Sequence, residues 1–376
     1  MEVVIAIDSM KGSLSSLEAG AAAREGILRV YPQARVRVFP LADGGEGTTQ
    51  ALTQGLGGQL ATLRVTGPQG APVTAWYGVL GNRAVLEMAA AAGLTLDKRL
   101  DPLKATTYGV GELIRDAIAR GCRDFIVGLG GSATNDGGMG MLQALGYVFR
   151  DANGRVLSGC GESLEKVAAI DSSTAIPELA ECRFRAACDV QNPLCGPLGA
   201  TFVFGPQKGA AGETLERLEN GMVHFARVCG EFLGQDLSQE PGTGAAGGMG
   251  FAFRAFLDGT LTPGIQLVLD AIGLEKAIPG ADVVVTGEGR LDGQTAMGKV
   301  PVGVAGLAKK YGKPVIALSG CVTEDAGQCN AAGIDAFFPI LRTVVPLEEA
   351  MEAGTAEKNM AATAEQVFRL VRAIKA

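Results

Sequence analysis

The feature that most constrains the fold is a glycine-rich stretch between two apolar segments, Gly128-Leu-Gly-Gly-Ser-Ala-Thr-Asn-Asp-Gly-Gly-Met-Gly140. The apolar run Phe125–Val127 precedes it, and the helix-forming run Met141–Leu145 follows it. A strand, a glycine loop and a helix in this order present backbone N–H groups to a phosphate or another anion. Glycine makes up 55 of the 376 residues, well above its usual share of about 7%, so we expect several loops of this kind.

Strand and helix patterns alternate along much of the chain. The apolar run Val3–Ile7 is typical of a strand that is covered on both faces, and a capping-box pattern at Ser15-Ser-Leu-Glu18 begins the next helix. Residues 107–120 have the apolar spacing of an amphipathic helix. Two strand-like runs, residues 72–80 and 83–88, predict a β-hairpin around Gly81-Asn82. The predicted fold class is therefore α/β with mainly parallel sheet.

The length of the chain predicts two domains, because a domain usually takes about 100–200 residues. The alternation of strands and helices is clear near both ends of the chain and weaker in the middle. We therefore predict one discontinuous α/β domain from residues 1–65 and 282–376, with residues 66–281 inserted as a second α/β domain.

Charge and composition disfavour several classes of protein. A net charge of −7 and a pI near 5.1 argue against nucleic-acid or membrane-surface partners. No apolar run approaches the length of a membrane span, and the N-terminal run lacks the basic flank of a signal peptide, so a cytoplasmic location is expected. The eight cysteines contain no C-x-x-C pair, which favours free thiols. Because His224 is the only histidine and lies in a helix-like stretch, chemistry must rest on carboxylates, lysine, arginine and backbone.

Two loops near the N-terminus carry charged side chains at predicted strand ends, where open α/β sheets bind ligands. After the first strand come Asp8, Lys11 and Ser13. Lys11 and Ser13 can hold a phosphate or a carboxylate at a helix start, although a helix cap with an exposed lysine is the simpler alternative. Asp43 and Glu46, in the acidic glycine loop 42–48, suit Mg²⁺, which proteins bind through one or two carboxylates plus phosphate oxygens. The alternative there is an ordinary N-cap.

Three later loops have the same character. Asp189 and Asn192 follow the strand-like run 184–188, so Asp189 is a candidate general base or metal ligand, unless the loop is only an Asx-turn before proline. The loop 242–250 is a second glycine loop, which either approaches phosphates or packs tightly on a neighbouring element. The loop 286–293 has three charged side chains among glycines, and these are Glu288, Arg290 and Asp292.

Two segments match known nucleotide-binding motifs only in part. The pattern Gly128-x-Gly130-x-x-Ala133 fits a dinucleotide fingerprint, with Asp151 near the expected offset. However, Asp136 then places a carboxylate where a pyrophosphate would sit, which is unfavourable without a metal. The run Gly293–Lys299 resembles a P-loop, but Val300 stands where the Mg²⁺-binding hydroxyl belongs.

Together the loops suit phosphoryl transfer. That reaction needs backbone cradles, cations for the phosphates, carboxylates for Mg²⁺ and a base near the accepting hydroxyl, but no histidine. Two other classes stay open: an NAD-linked dehydrogenase that uses residues 128–133, and a non-catalytic two-domain sensor of a sugar acid.

At these loops the chain resembles the bacterial glycerate kinase family, which includes the glycerate 2-kinases of sugar-acid catabolism. The matching segments run from the first strand to beyond Lys299 and are residues 8–15, 42–48, 88–94, 130–138, 204–210, 244–250 and 286–292. The departures are Met10, where the family usually has an aromatic residue, and Gly12, where some members have glutamate. The resemblance implies ATP-dependent phosphorylation of D-glycerate with Mg²⁺. It also implies a discontinuous Rossmann-like domain, a second, flavodoxin-like domain and an active site in the cleft between them.

Roles follow from the chemistry of the matched residues. Asp189 is the predicted base, while Lys11, Arg290 and Asp292 are the other predicted catalytic groups, with the two cations holding the substrate carboxylate and the transferring phosphoryl group. The predicted substrate-binding residues are Asp8, Ser13, Asp43, Asn192 and Glu288. The predicted metal ligands are Asp43 and Asp292. The predicted nucleotide-binding residues are Gly130, Gly131, Ser132, Thr134, Asn135, Asp136, Gly247 and Gly248.

The expected partners are the small molecules D-glycerate and ATP, with no nucleic acid and no membrane, and a homodimer is left open. We expect the 2-hydroxyl of glycerate to be phosphorylated, and 3-phosphoglycerate is the alternative product.

Overall fold

The structure is a computed structural model that describes residues 1–42, 44–45 and 47–375. The strands, numbered along the chain, are β1 (Glu2–Ile7), β2 (Arg35–Val38), β3 (Gln59–Thr66), β4 (Pro72–Leu80), β5 (Arg83–Glu87), β6 (Asp124–Gly128), β7 (Val148–Arg150), β8 (Ala169–Asp171), β9 (Arg183–Ala187), β10 (Thr260–Thr262), β11 (Val283–Gly287), β12 (Arg290–Leu291), β13 (Val315–Ser319), β14 (Cys321–Val322) and β15 (Ala336–Pro339). The helices are α1 (Ser16–Val30), α2 (Thr48–Gly55), α3 (Ala89–Ala92), α4 (Tyr108–Ala119), α5 (Met139–Ala144), α6 (Ala200–Phe204), α7 (Glu213–Leu233), α8 (Met249–Phe256), α9 (Gly264–Ala271), α10 (Val300–Lys310), α11 (Gln328–Ala331), α12 (Leu347–Met351) and α13 (Ala353–Lys375).

These elements form two compact units. Unit 1 consists of Met1–Asp43, Gln54–Leu56 and Ile265–Ala376, and unit 2 consists of Gly44–Thr53 and Gly57–Gly264. The division into domains at residues 65 and 282 stays a prediction.

Unit 1 contains a parallel sheet with the strand order β15-β13-β11-β1-β2. Its central strands, β1 and β11, are almost wholly apolar and buried, as expected for strands covered on both faces. When these strands are counted along the chain, the order is 2-1-3-4-5. In that order the direction of winding reverses between β1 and β11, so a crevice opens beyond the carboxyl ends of these two strands.

The predicted α/β class with parallel sheet is confirmed. The order 2-1-3-4-5 in unit 1 is the one found in flavodoxin-like sheets. Strand order depends on the direction in which each helix carries the chain across the sheet. Hydrophobic periodicity does not encode that direction, so strand order could not be predicted from the sequence.

The start of α1 fixes the loop that follows β1. The predicted capping box is confirmed, since Glu18 N donates to Ser15 Oγ and Ser15 N donates to the Glu18 carboxylate at 2.8 Å. The buried Ser16 Oγ donates to Ile7 O at 2.6 Å and accepts from Leu41 N at 2.8 Å. The ends of β1 and of the segment after β2 are therefore held against the first turn of α1.

Unit 2 contains a mixed sheet with the order β10-β9-β6-β5-β4-β3. The predicted hairpin is confirmed, because Leu80 pairs with Arg83 across the two-residue turn Gly81-Asn82. From β5 onward, β5, β6, β9 and β10 are parallel, so their carboxyl ends lie at one edge. The core beneath includes a stacked pair, Phe125 and Phe184, with ring centroids 4.7 Å apart.

Several other sequence predictions concern single residues or properties. All eight cysteines are free thiols. His224 lies in α7, where its Nε2 is 2.7 Å from the backbone oxygen of Val167, so it joins α7 to a neighbouring loop. Within the described ranges, no helix combines the length and the apolar character that crossing a membrane requires.

Candidate active site

The predicted site residues fall into two groups, and each group lies near the carboxyl ends of parallel strands in its own unit. Unit 1 brings together one group, whose members are Asp8, Lys11, Ser13, Glu288, Arg290 and Asp292. Unit 2 carries Asp189, Asn192 and the two glycine loops. Asp43 and Glu46 lie outside the described residues.

A cavity of about 480 Å³ in unit 1 lies beyond the ends of β1 and β11, at the point where the winding of the sheet reverses. All six residues of the first group line it, together with Lys299. Its other wall is mainly apolar and includes Met10, Ile340, Leu341, Leu347 and Met351. A concave, largely apolar pocket with a few converging charged groups is the usual form of a small-molecule site.

The loop after β1 presents Asp8, Lys11 and Ser13 to this cavity. Met10 N donates to Leu14 O at 2.8 Å and Ser13 N donates to Met10 O at 2.7 Å, which forms a tight turn with an exposed Lys11 at its tip. Asp8 is 7% exposed, and its Oδ1 accepts from Ser9 N at 2.7 Å. Ser13 Oγ is buried and has no hydrogen-bond partner among the residues that the structure describes, so this hydroxyl is available to a ligand.

The loop after β11 presents Glu288 and Arg290. Glu288 is 9% exposed, and its Oε1 accepts from Thr295 Oγ1 at 2.5 Å. The close approach of β13 explains the glycine before it, because a Cβ on Gly287 would lie 1.8 Å from Leu318 O. Arg290 begins β12, which pairs with β14, so its backbone is fixed while its side chain stays 65% exposed.

Asp292 organises the polar side of the cavity. Its Oδ1 accepts from Gln294 N at 3.0 Å and Thr295 N at 3.2 Å, so it caps the following turn. It also lies 3.5 Å from Arg290 Nε and 3.7 Å from Lys299 Nζ. Lys299 was not among the predicted site residues. Its only signal was the P-loop-like spacing, and that spacing lacks the hydroxyl residue that would have made it persuasive.

At the carboxyl edge of unit 2, Asp189 follows β9 with an exposed side chain. Its Oδ1 accepts from Gly264 N at 2.9 Å, which orients the carboxylate. Asn192 has a different position, since its Nδ2 donates to Leu198 O at 2.8 Å and its backbone oxygen accepts from Gly244 N at 2.9 Å. Through these hydrogen bonds Asn192 stabilises its own loop and connects it to the second glycine loop.

The two glycine loops pack against each other. Gly137 N donates to Gly247 O at 3.0 Å, and a Cβ on Gly247 would lie 2.0 Å from Thr134 O. A Cβ on Gly248 would likewise lie 2.6 Å from the Cα of Gly137. Gly247 and Gly248 are therefore needed for this close approach, which is the packing alternative that the sequence left open.

Only the first part of the Gly130–Gly138 loop is exposed. Gly130 and Gly131 are exposed, and the space where a side chain of Gly130 would project is empty of neighbours within 4 Å. The polar residues that follow are buried, and these are Ser132, Thr134, Asn135 and Asp136. Direct access to the loop from solvent is thus concentrated at Gly130 and Gly131.

Asp136 is fully buried and supports the loop from within. Its Oδ2 accepts from Thr107 N at 2.8 Å, from Thr107 Oγ1 at 2.7 Å and from Gly140 N at 3.3 Å, while its Oδ1 accepts from Gly138 N at 3.1 Å. Burial raises the pKa of this carboxyl above its usual value, and these hydrogen bonds act in the opposite direction. The bonds join the loop to the starts of α4 and α5.

Two buried charged residues beside the first glycine loop were not predicted. Glu87, at the end of β5, is 9% exposed and accepts from Thr49 N at 2.8 Å and Gly47 N at 3.3 Å, so it holds the start of α2. Lys208 is 1% exposed, and its Nζ donates to Thr134 O at 2.7 Å beneath the first glycine loop. The signal for Glu87 was a carboxylate at the end of an apolar strand; Lys208 lies in a matched segment, but lysines are so rarely buried that its position was not expected.

Comparison with known proteins agrees with this arrangement. The model of the glycerate kinase family matches residues 3–372. A glycerate kinase from Bacillus subtilis (strain 168) is 46% identical, with 100% of this chain and 99% of that protein covered. A glycerate 2-kinase from Escherichia coli (strain K12) is also 46% identical, with coverages of 96% and 98%. The crystal structure of a Salmonella typhimurium LT2 protein assigned as glycerate kinase 2 has a TM-score of 0.91 and 46% identity, covering 100% of this chain and 99% of that one.

The fold and these similarities define an α/β enzyme, a kinase that transfers a phosphoryl group to an alcohol group. The chain belongs to the glycerate kinase family. Membership of a kinase family implies ATP as the co-substrate.

Proposed function

We propose that this enzyme phosphorylates D-glycerate at its 2-hydroxyl with ATP and Mg²⁺, and that the cavity of unit 1 receives the acidic substrate. The observation that carries the proposal is the convergence of charged groups of both signs at the reversal point between β1 and β11. Phosphoryl transfer needs cations for the anionic groups and carboxylates for a metal in the same place.

The cations of the cavity suit a small hydroxy acid. Lys11 and Arg290 are exposed at its rim, and Lys299 lies opposite one oxygen of Asp292. An arginine can bind a carboxylate with two parallel hydrogen bonds, whereas a lysine acts as a mobile point charge. We assign Arg290 to the glycerate carboxylate and Lys11 to the transferring phosphoryl group. Ser13 Oγ, buried without a partner in the described part of the chain, donates to the substrate.

The residues present fit a magnesium ion. No group of three or more acidic, cysteine or histidine side chains able to hold a metal occurs among the described residues, but Mg²⁺ commonly uses only one or two protein carboxylates besides phosphate oxygens and water. Asp8 and Glu288 follow the paired positions Ile7 and Gly287, are almost fully buried, and line one cavity. Bound Mg²⁺ would neutralise charge on the phosphates.

Asp292 was predicted from the sequence to bind the metal. Its position suits a metal ion less well than the positions of Asp8 and Glu288. One of its oxygens already caps a turn, and both lie near cations. Asp292 then serves to hold Arg290 and Lys299 in place. The part proposed for Asp43 concerns a residue outside the described ranges and rests on the sequence alone.

For the remaining groups, we propose that Asp189 accepts the proton of the reacting hydroxyl and that the exposed backbone of Gly130 and Gly131 receives phosphates of ATP. The hydrogen bond from Gly264 N leaves the second carboxylate oxygen of Asp189 open to a substrate. Ser132, Thr134, Asn135, Asp136, Gly247 and Gly248 then act by shaping the loop rather than by contacting the nucleotide.

The proposal is tested by measuring ADP release with and without D-glycerate, with L-glycerate as the control, and again after addition of EDTA. We expect release that requires D-glycerate and is abolished by the chelator. The phosphorus NMR signal of the product identifies the hydroxyl. Phosphate on the 2-hydroxyl couples to one methine proton and gives a doublet, whereas phosphate on the 3-hydroxyl couples to two methylene protons and gives a triplet.

Other outcomes would contradict the proposal. Tight glycerate binding without ATP consumption would indicate a sensor, and binding of a nicotinamide nucleotide would indicate the dehydrogenase. A triplet would keep the kinase and reject the 2-hydroxyl. We further propose a cytoplasmic enzyme of sugar- and organic-acid breakdown, in keeping with the free cysteines and the net negative charge.

A further inference from the structure

We propose that Lys208 is a positioning residue for the reaction: its buried ammonium, bonded to the carbonyl oxygen of Thr134, holds the Gly130–Gly138 loop in the shape that receives the phosphates of the nucleotide. This inference rests on the proposed function, in which the exposed start of that loop binds ATP.

The side chain of Lys208 is in an unusual environment for a lysine. It follows α6 in the short turn Pro206–Lys208 and is 1% exposed. Its Nζ donates to Thr134 O at 2.7 Å. Burying an ammonium group is costly unless the charge is compensated, so lysines are almost never found in this position without a partner.

A nearby buried carboxylate, that of Asp136, favours the charged form of Lys208. Asp136, two residues beyond Thr134, is fully buried and accepts donors on both oxygens, as an ionised carboxylate does. Burial lowers the pKa of Lys208 to about 7, and the charge of Asp136 acts in the opposite direction.

The stability of the fold does not by itself explain a charge here. A buried ion pair often contributes no more than well-packed apolar side chains of the same volume, and an unbranched residue such as methionine would fill the same space. What the ammonium supplies is a directional bond to one backbone oxygen of the loop. Thr134 lies between the exposed Gly131 and the packed Gly137, so the bond to its carbonyl holds the buried segment that directly follows the exposed start of the loop.

The polar groups beside this bond have unused capacity. An ammonium has three donors, and Thr134 O is its single acceptor in the described part of the chain. Thr134 Oγ1 and Asn135 Oδ1 are buried and lack partners among the described residues. This segment is therefore less completely bonded than the rest of the loop, and removal of the Lys208 bond should change its shape.

The test compares K208M with wild type, with K104M as a matched control because Lys104 is an exposed lysine of the same unit. Loss of a charge-assisted hydrogen bond to the loop should raise KM for ATP by about tenfold or more. KM for glycerate should change by less than about twofold, and the control should match wild type. A similar rise in both KM values, no change in either, or a rise for glycerate alone would overturn the proposal.

The pH profiles of the wild type and K208M test the same idea with a second measurement. The protonated form of Lys208 makes the stronger, charge-assisted bond, so KM for ATP should rise as this group loses its proton with increasing pH through about 7. In K208M this rise should be absent. Because ATP itself ionises in every sample, only the difference between the two profiles counts, and parallel profiles would contradict the proposal.

The proposed function and the role of Lys208 can fail separately. If the wild type releases no ADP with glycerate, the proposed function fails. The Kd of MgATP, measured by calorimetry for wild type and K208M, then still decides whether Lys208 supports nucleotide binding. Equal Kd values would reject that role.

Discussion

Carboxylates in this protein differ chiefly in what their oxygens already contact. Asp136 accepts from the backbone N–H groups of Thr107 and Gly140, and Asp292 accepts from those of Gln294 and Thr295. Asp189 has one oxygen held by Gly264 N and an exposed side chain. A carboxylate whose oxygens are all engaged shapes a site, whereas one that is oriented but still open can accept a proton.

The base role proposed for Asp189 has a direct test. D189N keeps the size of the side chain and removes its basicity, so kcat should fall by at least about 10²-fold. D258N is the matched control, because Asp258 is fully exposed and should tolerate the same change without loss of activity. Near-normal turnover in D189N would remove Asp189 from this role.

Single elements follow local rules, and α1 shows this most clearly. Its capping box joins Ser15 and Glu18 by reciprocal hydrogen bonds. S15A should lower the free energy of unfolding by about 1 kcal/mol, the usual effect of removing an N-cap hydroxyl. S172A is a matched control in an exposed turn. A control as destabilised as S15A would show that the effect is not specific to the cap.

The same cap should depend on pH. The Ser15 side-chain and backbone hydrogen bonds lower the pKa of Glu18 below its usual 4.5. The stabilisation is therefore present at neutral pH and is lost as the pH falls through the lowered pKa. Urea unfolding of S15A and wild type at pH 7 and at lower pH should show the difference between them shrinking on acidification.

At the scale of the whole molecule, an enzyme with net charge −7 must attract an anionic substrate. Lys11, Arg290 and Lys299 line the cavity of unit 1, where the proposed Mg²⁺ would offset the charges of Asp8 and Glu288. These cations act within a Debye length of about 10 Å at 0.1 M salt, whereas the charges that lie away from the cavity are more strongly screened. With ATP saturating, kcat/KM for glycerate should therefore fall as ionic strength rises. K299M should show a shallower fall, and a rise with salt in the wild type would mean that the net charge dominates.

Much of the local structure could be predicted from the sequence because the determining contacts are short-range. The hairpin at Gly81-Asn82 depends on its turn, and the start of α1 depends on Ser15 and Glu18. The apolar strands β1 and β11 are recognisable because burial on both faces requires uninterrupted apolar residues. The family could also be predicted from the motifs, because the matching segments extend over almost the whole chain. The family model, which matches residues 3–372, confirms that prediction.

Only the tertiary structure determined which of the candidate residues lie close together. Asp8 and Glu288 are far apart along the chain and line the same cavity because β1 pairs with β11 in a sheet whose winding reverses there. The tertiary structure also leaves Gly130 exposed and buries Asp136 in the same loop. It places the buried ammonium of Lys208 against the backbone of that loop. Local sequence determines strands, turns and caps through nearby atoms, whereas strand order, burial and the meeting of distant loops depend on packing that no single segment contains.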